Sequence, residues 1–210
     1  MKRLFFTLAA LLSALGAFAQ SADEIIARMD EVMSGSESEG LEMTLDIKIP
    51  ILGTISSKSY TRGDKLRMET EAAGLKLIEF TDGDCMYTYN SSENSITIET
   101  VDLGKKAEGD AAVFGDIDDG YVSTITKETD TAWYIRAKKD KSNKDKDAPK
   151  TIDIVIAKGT YVPVSLSMSA SGTKITMRDI SIGVEESYVT YNPSDYPDAK
   201  VIDNRGKKKK

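Results

Sequence analysis

The chain contains no histidine among its 210 residues. That absence removes the commonest general base, the usual zinc ligand and any Ser-His or Cys-His nucleophile pair, which leaves most hydrolase mechanisms without a residue to run on. Cysteine is almost missing as well, with Cys85 alone. One thiol makes no internal disulfide, and none stands where a lipid anchor would be attached, just after the amino-terminal apolar stretch. Cys85 follows a turn in an alternating segment with no activating neighbour, and reads as an inert thiol. No glycine-rich phosphate loop or dinucleotide fingerprint occurs. Asp116-Ile117-Asp118-Asp119-Gly120 hints at a calcium loop, but Lys127 stands where the bidentate glutamate is required. Acidic residues are plentiful yet alternate along apparent strands, which points them to solvent. The expectation is a protein that is not an enzyme, with no cofactor and no metal.

Positive charge is in deficit: 28 basic against 34 acidic residues, a net charge of -6. Nucleic acid is an improbable partner, because phosphate binding needs a concentrated positive surface. Long apolar runs are absent except at the start. Lys2 and Arg3, the apolar stretch Leu4 to Phe18 and the Ala17-Phe18-Ala19 site read as a secretory signal over 1–19, with the mature chain opening at Gln20. No later stretch approaches the ~20 apolar residues of a spanning helix. The expected product is exported, soluble without a lipid anchor, and monomeric, with one domain over 20–206 and a basic tail at 207–210.

Ser21-Ala22-Asp23 looks like a helix start, followed by Ile25, Ile26, Met29 and Val32-Met33 at the spacing of one helix face. A Ser/Glu/Gly linker from Gly35 to Gly40 stops this helix, and the period then changes from 3.6 to 2. Leu41, Met43, Leu45, Ile47 and Ile49 alternate with polar residues. The pattern returns at Leu66 and Met68, Ile78 and Phe80, Ile96 and Ile98, and Trp133 and Ile135. It continues through Ile152, Ile154 and Ile156, then Val164, Leu166 and Met168, then Ile175 and Met177, and finally Ile180 and Ile182. Turn chemistry separates the runs at Gly53, Gly63-Asp64, Asp82-Gly83, Asn90 to Asn94, Lys158-Gly159 and Ser171-Gly172. This predicts a mainly β chain with helices (α+β): an antiparallel meander of nine to eleven strands, apolar on one side. Such a sheet must curl or be capped. The helix at 22–33 and a shorter one near Ala107 to Phe114 are the candidate caps. A concave face larger than its lid leaves a cavity, whereas a tightly closed barrel packs the same pattern solid. The run Lys138 to Lys150 reads either as a solvated hairpin loop or as a docking site. The lysine tail reads either as a frayed end or as a contact for anionic lipid.

At three places residue identity and order resemble the LolA family of periplasmic outer-membrane lipoprotein carriers. The first is Tyr60-Thr61-Arg62-Gly63-Asp64-Lys65-Leu66-Arg67-Met68, where Arg62 falls on the family's arginine and Gly63 replaces its proline. The second is Leu77 to Asn90, an apolar strand, an Asp82-Gly83 turn, an aromatic and Tyr89-Asn90, with Tyr87 in place of the usual tryptophan. The third is Tyr188-Val189-Thr190-Tyr191-Asn192-Pro193 with Val201-Ile202-Asp203-Asn204-Arg205, similar to the family's aromatic closing strand, proline and final Val-x-Asp-x-Arg. The segment from Gly104 to Gly120 and the charged insert at 138–150 depart from the family.

The resemblance implies a strongly curved, unclosed antiparallel half-barrel capped by short helices over an apolar cavity. It implies that acyl chains of lipoproteins fill that cavity on the way from an inner-membrane ABC transporter to an outer-membrane acceptor. It also implies that Arg62 holds the lid through its backbone; an ordinary solvated arginine beside a turn is the other reading. The expected cavity residues are Leu41, Met43, Leu45, Leu66, Met68, Phe80, Ile96, Ile98, Trp133, Ile154, Leu166, Met168 and Met177, with Ile25, Met29 and Phe114 from the lid. A lipid-sensing regulatory domain and a carrier of another lipid remain alternatives, since an apolar cavity reads chain volume and hardly reads head groups.

Overall fold

A computed structural model describes residues 20–101, 117, 120–146, 148–170 and 172–206. The expected signal at 1–19, the expected helix near 107–114 with Phe114, the acidic positions 116, 118 and 119 and the tail at 207–210 lie outside the described residues.

Helix α1 spans Ala22–Gly35, as its periodicity requires. A capping box starts it: the Glu24 amide donates to Ser21 Oγ at 3.2 Å, and the Ser21 amide donates to Glu24 Oε2 at 2.8 Å. Twelve strands follow among the described residues: β1 (Leu41–Ile49), β2 (Gly53–Arg62), β3 (Lys65–Ala72), β4 (Leu75–Thr81), β5 (Cys85–Asn90), β6 (Ser95–Thr100), β7 (Tyr121–Glu128), β8 (Ala132–Lys139), β9 (Thr151–Ala157), β10 (Pro163–Ala170), β11 (Thr173–Ile182) and β12 (Lys200–Asp203). They form one curved sheet in the order β12-β6-β5-β4-β3-β2-β1-β11-β10-β9-β8-β7. Two antiparallel meanders, β1 to β6 and β7 to β11, are joined where β1 pairs with β11; only β12 runs parallel, beside β6. The strands at the two ends do not meet, so the sheet is an unclosed half-barrel.

We call the face against which α1 packs the inner face. Register assigns every side chain to a face, since directly opposed residues in a ladder point the same way. From β1 through β11 to β7 the inner face is apolar, with Leu45, Met177, Leu166, Ile154, Ile135 and Ile125 opposed in one row. Across β2 to β6 the apolar side changes over. Tyr60, Arg67, Phe80, Tyr87 and Ile98 form one opposed row, and this row shares the outer face with Glu42.

The carboxyl-terminal segment covers that outer patch. It contains helix α2 (Glu186–Val189) and a 3-10 turn at Pro193–Asp195. The stretch from Tyr188 to Tyr191, expected as an aromatic strand, is therefore not one: it crosses the sheet instead of extending it, and its rings supply the contact. Tyr191 stacks on Tyr87 at 4.4 Å between centroids, Tyr196 lies 4.7 Å from Tyr89, and Tyr188 meets Tyr60 edge-on at 4.7 Å.

Arg67 sits within this aromatic layer, its guanidinium 4.1 Å from the Tyr188 ring centroid and 5.1 Å from that of Phe80. It pairs with Glu69 at 2.7 Å, and Glu69 also takes Lys76 at 3.3 Å and the Tyr188 hydroxyl at 3.1 Å. Burial pushes the Glu69 carboxyl up, but the Arg67 and Lys76 charges and these hydrogen bonds outweigh it, so its pKa lies below the usual carboxylate value. A carboxyl whose folded pKa is depressed contributes stability that is complete above the unfolded value, about 4.5, and is lost as pH falls through the folded one. Glu69→Gln should thus lower the melting temperature at pH 7 and flatten its decline below pH ~4.5, as read by thermal melts across pH; an unaltered acid limb would refute this coupling.

Candidate functional site

The space between α1 and the inner face is where the sequence places its binding chemistry. Ile25 and Met29 from the helix meet Leu41, Met43, Trp133, Ile154, Leu166 and Met177 from the sheet in one buried cluster, with Leu45 and Met168 packed against it. Leu66 and Met68, also expected here, share the inner face through their opposed partners Thr61 and Ser59, and both are half-buried. Phe80, Ile96 and Ile98 are not brought to this site. The register Arg67↔Phe80, Phe80↔Tyr87, Tyr87↔Ile98 and Tyr89↔Ile96 puts them on the outer face, where Phe80 lies 5.8 Å from Tyr191. Their alternation marks strands, but alternation alone does not say which side is apolar.

The cluster includes residues absent from the expected set: Ile26, Met33, Ile117, Ile135, Ala137, Ile152 and Ile156. Ile26 and Met33 belong to the helix face already evident in the sequence, and Ile135, Ile152 and Ile156 to the same alternations as their chosen neighbours.

The inner face has two chemical halves. Under α1 it is aliphatic and filled, with Ile25, Ile26, Met29 and Leu166 at 0% exposure. Beyond β1 it turns to hydroxyls: Thr61, Ser59 and Ser57 stand opposite Leu41, Met43 and Leu45, and Ser57 shares a 2.7 Å hydrogen bond with Thr70. Leu66, Met68, Leu77 and Met86 are interleaved with these polar groups on the same side. The methionines are distributed with a strong bias. Of eight in the chain, all seven after Met1 face the inner space, Met29 and Met33 from α1 and Met43, Met68, Met86, Met168 and Met177 from the sheet.

Arg62 lies at the end of β2, on the outer side, and donates from Nη1 to the Val184 carbonyl at 2.5 Å. Around it, the Gly63 amide donates to Glu37 O, the Gly183 amide to Gly40 O and the Val184 amide to Glu39 O, at 3.0, 2.9 and 2.9 Å. The exit of α1, the end of β2 and the exit of β11 are thereby tied into one junction, and Arg62 fastens the start of the carboxyl-terminal segment to it. Cys85 is a free thiol at the start of β5, half-buried. Among the described residues no group of three or more Cys, Asp or Glu is placed to hold a metal ion, and no helix is long and apolar enough to cross a membrane.

No family model matches the sequence, and no curated protein matches it. Solved structures do resemble it. An uncharacterized conserved protein from Thermus thermophilus has 14% identity over 88% of this chain and 99% of its own, with a TM-score of 0.48. The Mycobacterium tuberculosis lipoprotein LppX has 14% identity over 81% of this chain and 100% of its own, with a TM-score of 0.49. A LolA superfamily protein from Nitrosomonas europaea has 11% identity over 82% of this chain and 99% of its own, with a TM-score of 0.32.

Proposed function

We propose that this protein is a periplasmic carrier that binds the acyl chains of lipoproteins between α1 and the inner face of its half-barrel. The observation that carries this reading is the inward placement of all seven methionines after Met1. An unbranched, polarizable side chain with three rotatable bonds adapts to a flexible occupant at small cost. Burying each CH₂ of an acyl chain is worth ~0.8 kcal/mol, so the affinity needs no directed chemistry.

The helix-covered half is filled in this structure, so acyl chains enter as α1 parts from the sheet, and the half-buried Leu66, Met68 and Met86 extend the apolar contact beyond it, between hydroxyls and the inward-facing Glu79 and Glu99. The hydroxyls of Ser57, Ser59 and Thr61 then lie where an acyl chain joins its polar head. Arg62 restrains the carboxyl-terminal segment as the structure opens. The sequence resemblance extends the reading to loading from an inner-membrane ABC transporter and delivery to an outer-membrane acceptor.

The test is native mass spectrometry of the protein recovered from the periplasm of a Gram-negative host expressing the whole chain, followed by lipid extraction. Adducts bearing a lipidated amino-terminal cysteine are the expected result. Phospholipid or glycolipid adducts would move the function to another cargo, and a bare mass that takes up no fatty acid would reject the carrier.

A further inference from the structure

The β1–β2, β3–β4, β5–β6, β8–β9 and β10–β11 connections all lie at one end of the sheet. At this end Ile51 and Leu52, the tip of the β1–β2 hairpin, are 105% and 78% exposed, and Ile55 just behind them is 40% exposed. Water is a poor environment for this apolar group, and the backbone holds it there at a cost: Ile51 has φ 72°, a left-handed conformation that a β-branched residue seldom adopts. Glycine or asparagine would suit that turn better. A strained, fully exposed isoleucine followed by an exposed leucine indicates a surface built to enter something apolar.

The outer face beside the tip is cationic. Lys48 stands directly opposite Lys174, a like-charge pair that disfavours the ladder, and Lys138 stands opposite Thr151 on the neighbouring hairpin. Lys150 and Lys174 flank a groove of about 340 Å³ between Thr151 and Ser169. Among the described residues none of these four lysines forms an ion pair, whereas the charges one row further in are matched, Arg136 with Asp153 and Arg178 with Asp46, each at 2.7 Å. The adjoining loop does not offset this charge: between Lys138 and Lys150, residues 139–149 hold four lysines and three aspartates. A chain of net charge -6 thus gathers uncompensated positive charge next to its exposed apolar tip.

We propose that this end of the sheet docks on an anionic phospholipid membrane surface. Ile51 and Leu52 enter the head-group and acyl boundary, while Lys48, Lys174 and Lys138 face lipid phosphates. An acidic protein surface would match the lysines but would leave the apolar tip without a partner. The net negative charge of the rest of the molecule repels an anionic membrane, which orients the protein with this end forward.

Flotation of the protein recovered from the periplasm and stripped of lipid, mixed with lipid vesicles, tests the proposal without any acyl cargo. Retention on phosphatidylglycerol-containing vesicles is expected, with little on phosphatidylcholine alone and loss at high salt. Lys48→Gln and Lys174→Gln should each weaken retention about fivefold. Ile51→Gly with Leu52→Ser should weaken it at least roughly tenfold while leaving the thermal melt intact, because the glycine suits the backbone there. No retention, or retention that these substitutions leave unchanged, overturns the proposal, as does binding only to vesicles that carry a membrane protein. Loss of docking with acyl adducts still recovered would sink this proposal and spare the carrier function.

Discussion

Gly40→Ala is expected to destabilise the protein by about 2–5 kcal/mol, the sum of a left-handed backbone penalty and an overpacked contact. Gly40 has φ 86°, and a Cβ built on it would lie 2.8 Å from the Thr61 carbonyl oxygen and 2.8 Å from Val184 Cβ. Neither neighbour can withdraw. Thr61 is locked in the ladder between β1 and β3, and Val184 is held by the bond from Arg62 and by its own amide bond to Glu39. Gly74 provides the internal control: its φ is 81°, but nothing lies within 4 Å of an added Cβ, so Gly74→Ala should cost only the backbone strain, about 1–2 kcal/mol. Denaturant unfolding of the two variants side by side separates the terms. Equal shifts would mean that the junction is not tight, and that Arg62 and Val184 fasten nothing of consequence.

Met29→Ala and Leu166→Ala should each reduce stability by about 2–5 kcal/mol, because both side chains are fully buried between α1 and the sheet. Their effect on ligand should have the opposite sign. If acyl chains occupy the space these side chains now fill, truncation removes a competitor that holds α1 closed. Apparent affinity for a fatty-acid probe then rises with the population of the parted state, by about tenfold for each 1.4 kcal/mol transferred. Fluorescent fatty-acid titration reads this directly. Unchanged or weaker affinity in both variants would show that the chains do not enter under α1.

The elements of this fold were legible locally and their faces were not. Ser21 and Glu24 announce α1, and the glycines and Asx residues mark the turns; Asp82 Oδ1, for example, accepts the Asp84 and Cys85 amides at 3.1 and 2.7 Å. The alternation of Leu66 and Met68 and that of Ile78 and Phe80 look alike in sequence, yet they point to opposite sides of the sheet. The cause is the turn between them, in which Ala73 and Gly74 have φ 52° and 81° and Ala72 is paired with Leu75. Counting back from this two-residue turn sets Met68 opposite Glu79, and Phe80 on the other side. That signal was present in Ala72-Ala73-Gly74-Leu75 but needed the turn to be recognised first. The aromatic carboxyl-terminal cover was hidden for a different reason. Tyr188, Tyr191 and Tyr196 act through contacts with β2, β4 and β5, more than a hundred residues away in most cases, and nothing in their own spacing names those partners.

The pairing of β1 with β11 also governs how the molecule comes into being. Leu41 finds Ile182, and Lys48 finds Lys174, across loops of more than a hundred residues, whereas within each meander neighbouring strands meet through short connections. Closing so long a loop is entropically slow, and chains dominated by such contacts reach the native state over milliseconds to seconds. In a chain delivered from its amino terminus, β2 to β6 can assemble while one flank of β1 stays bare until residues 173–182 emerge. During that interval an apolar strand edge stands open to whatever is nearby, which makes the half-formed molecule a natural client of holding chaperones.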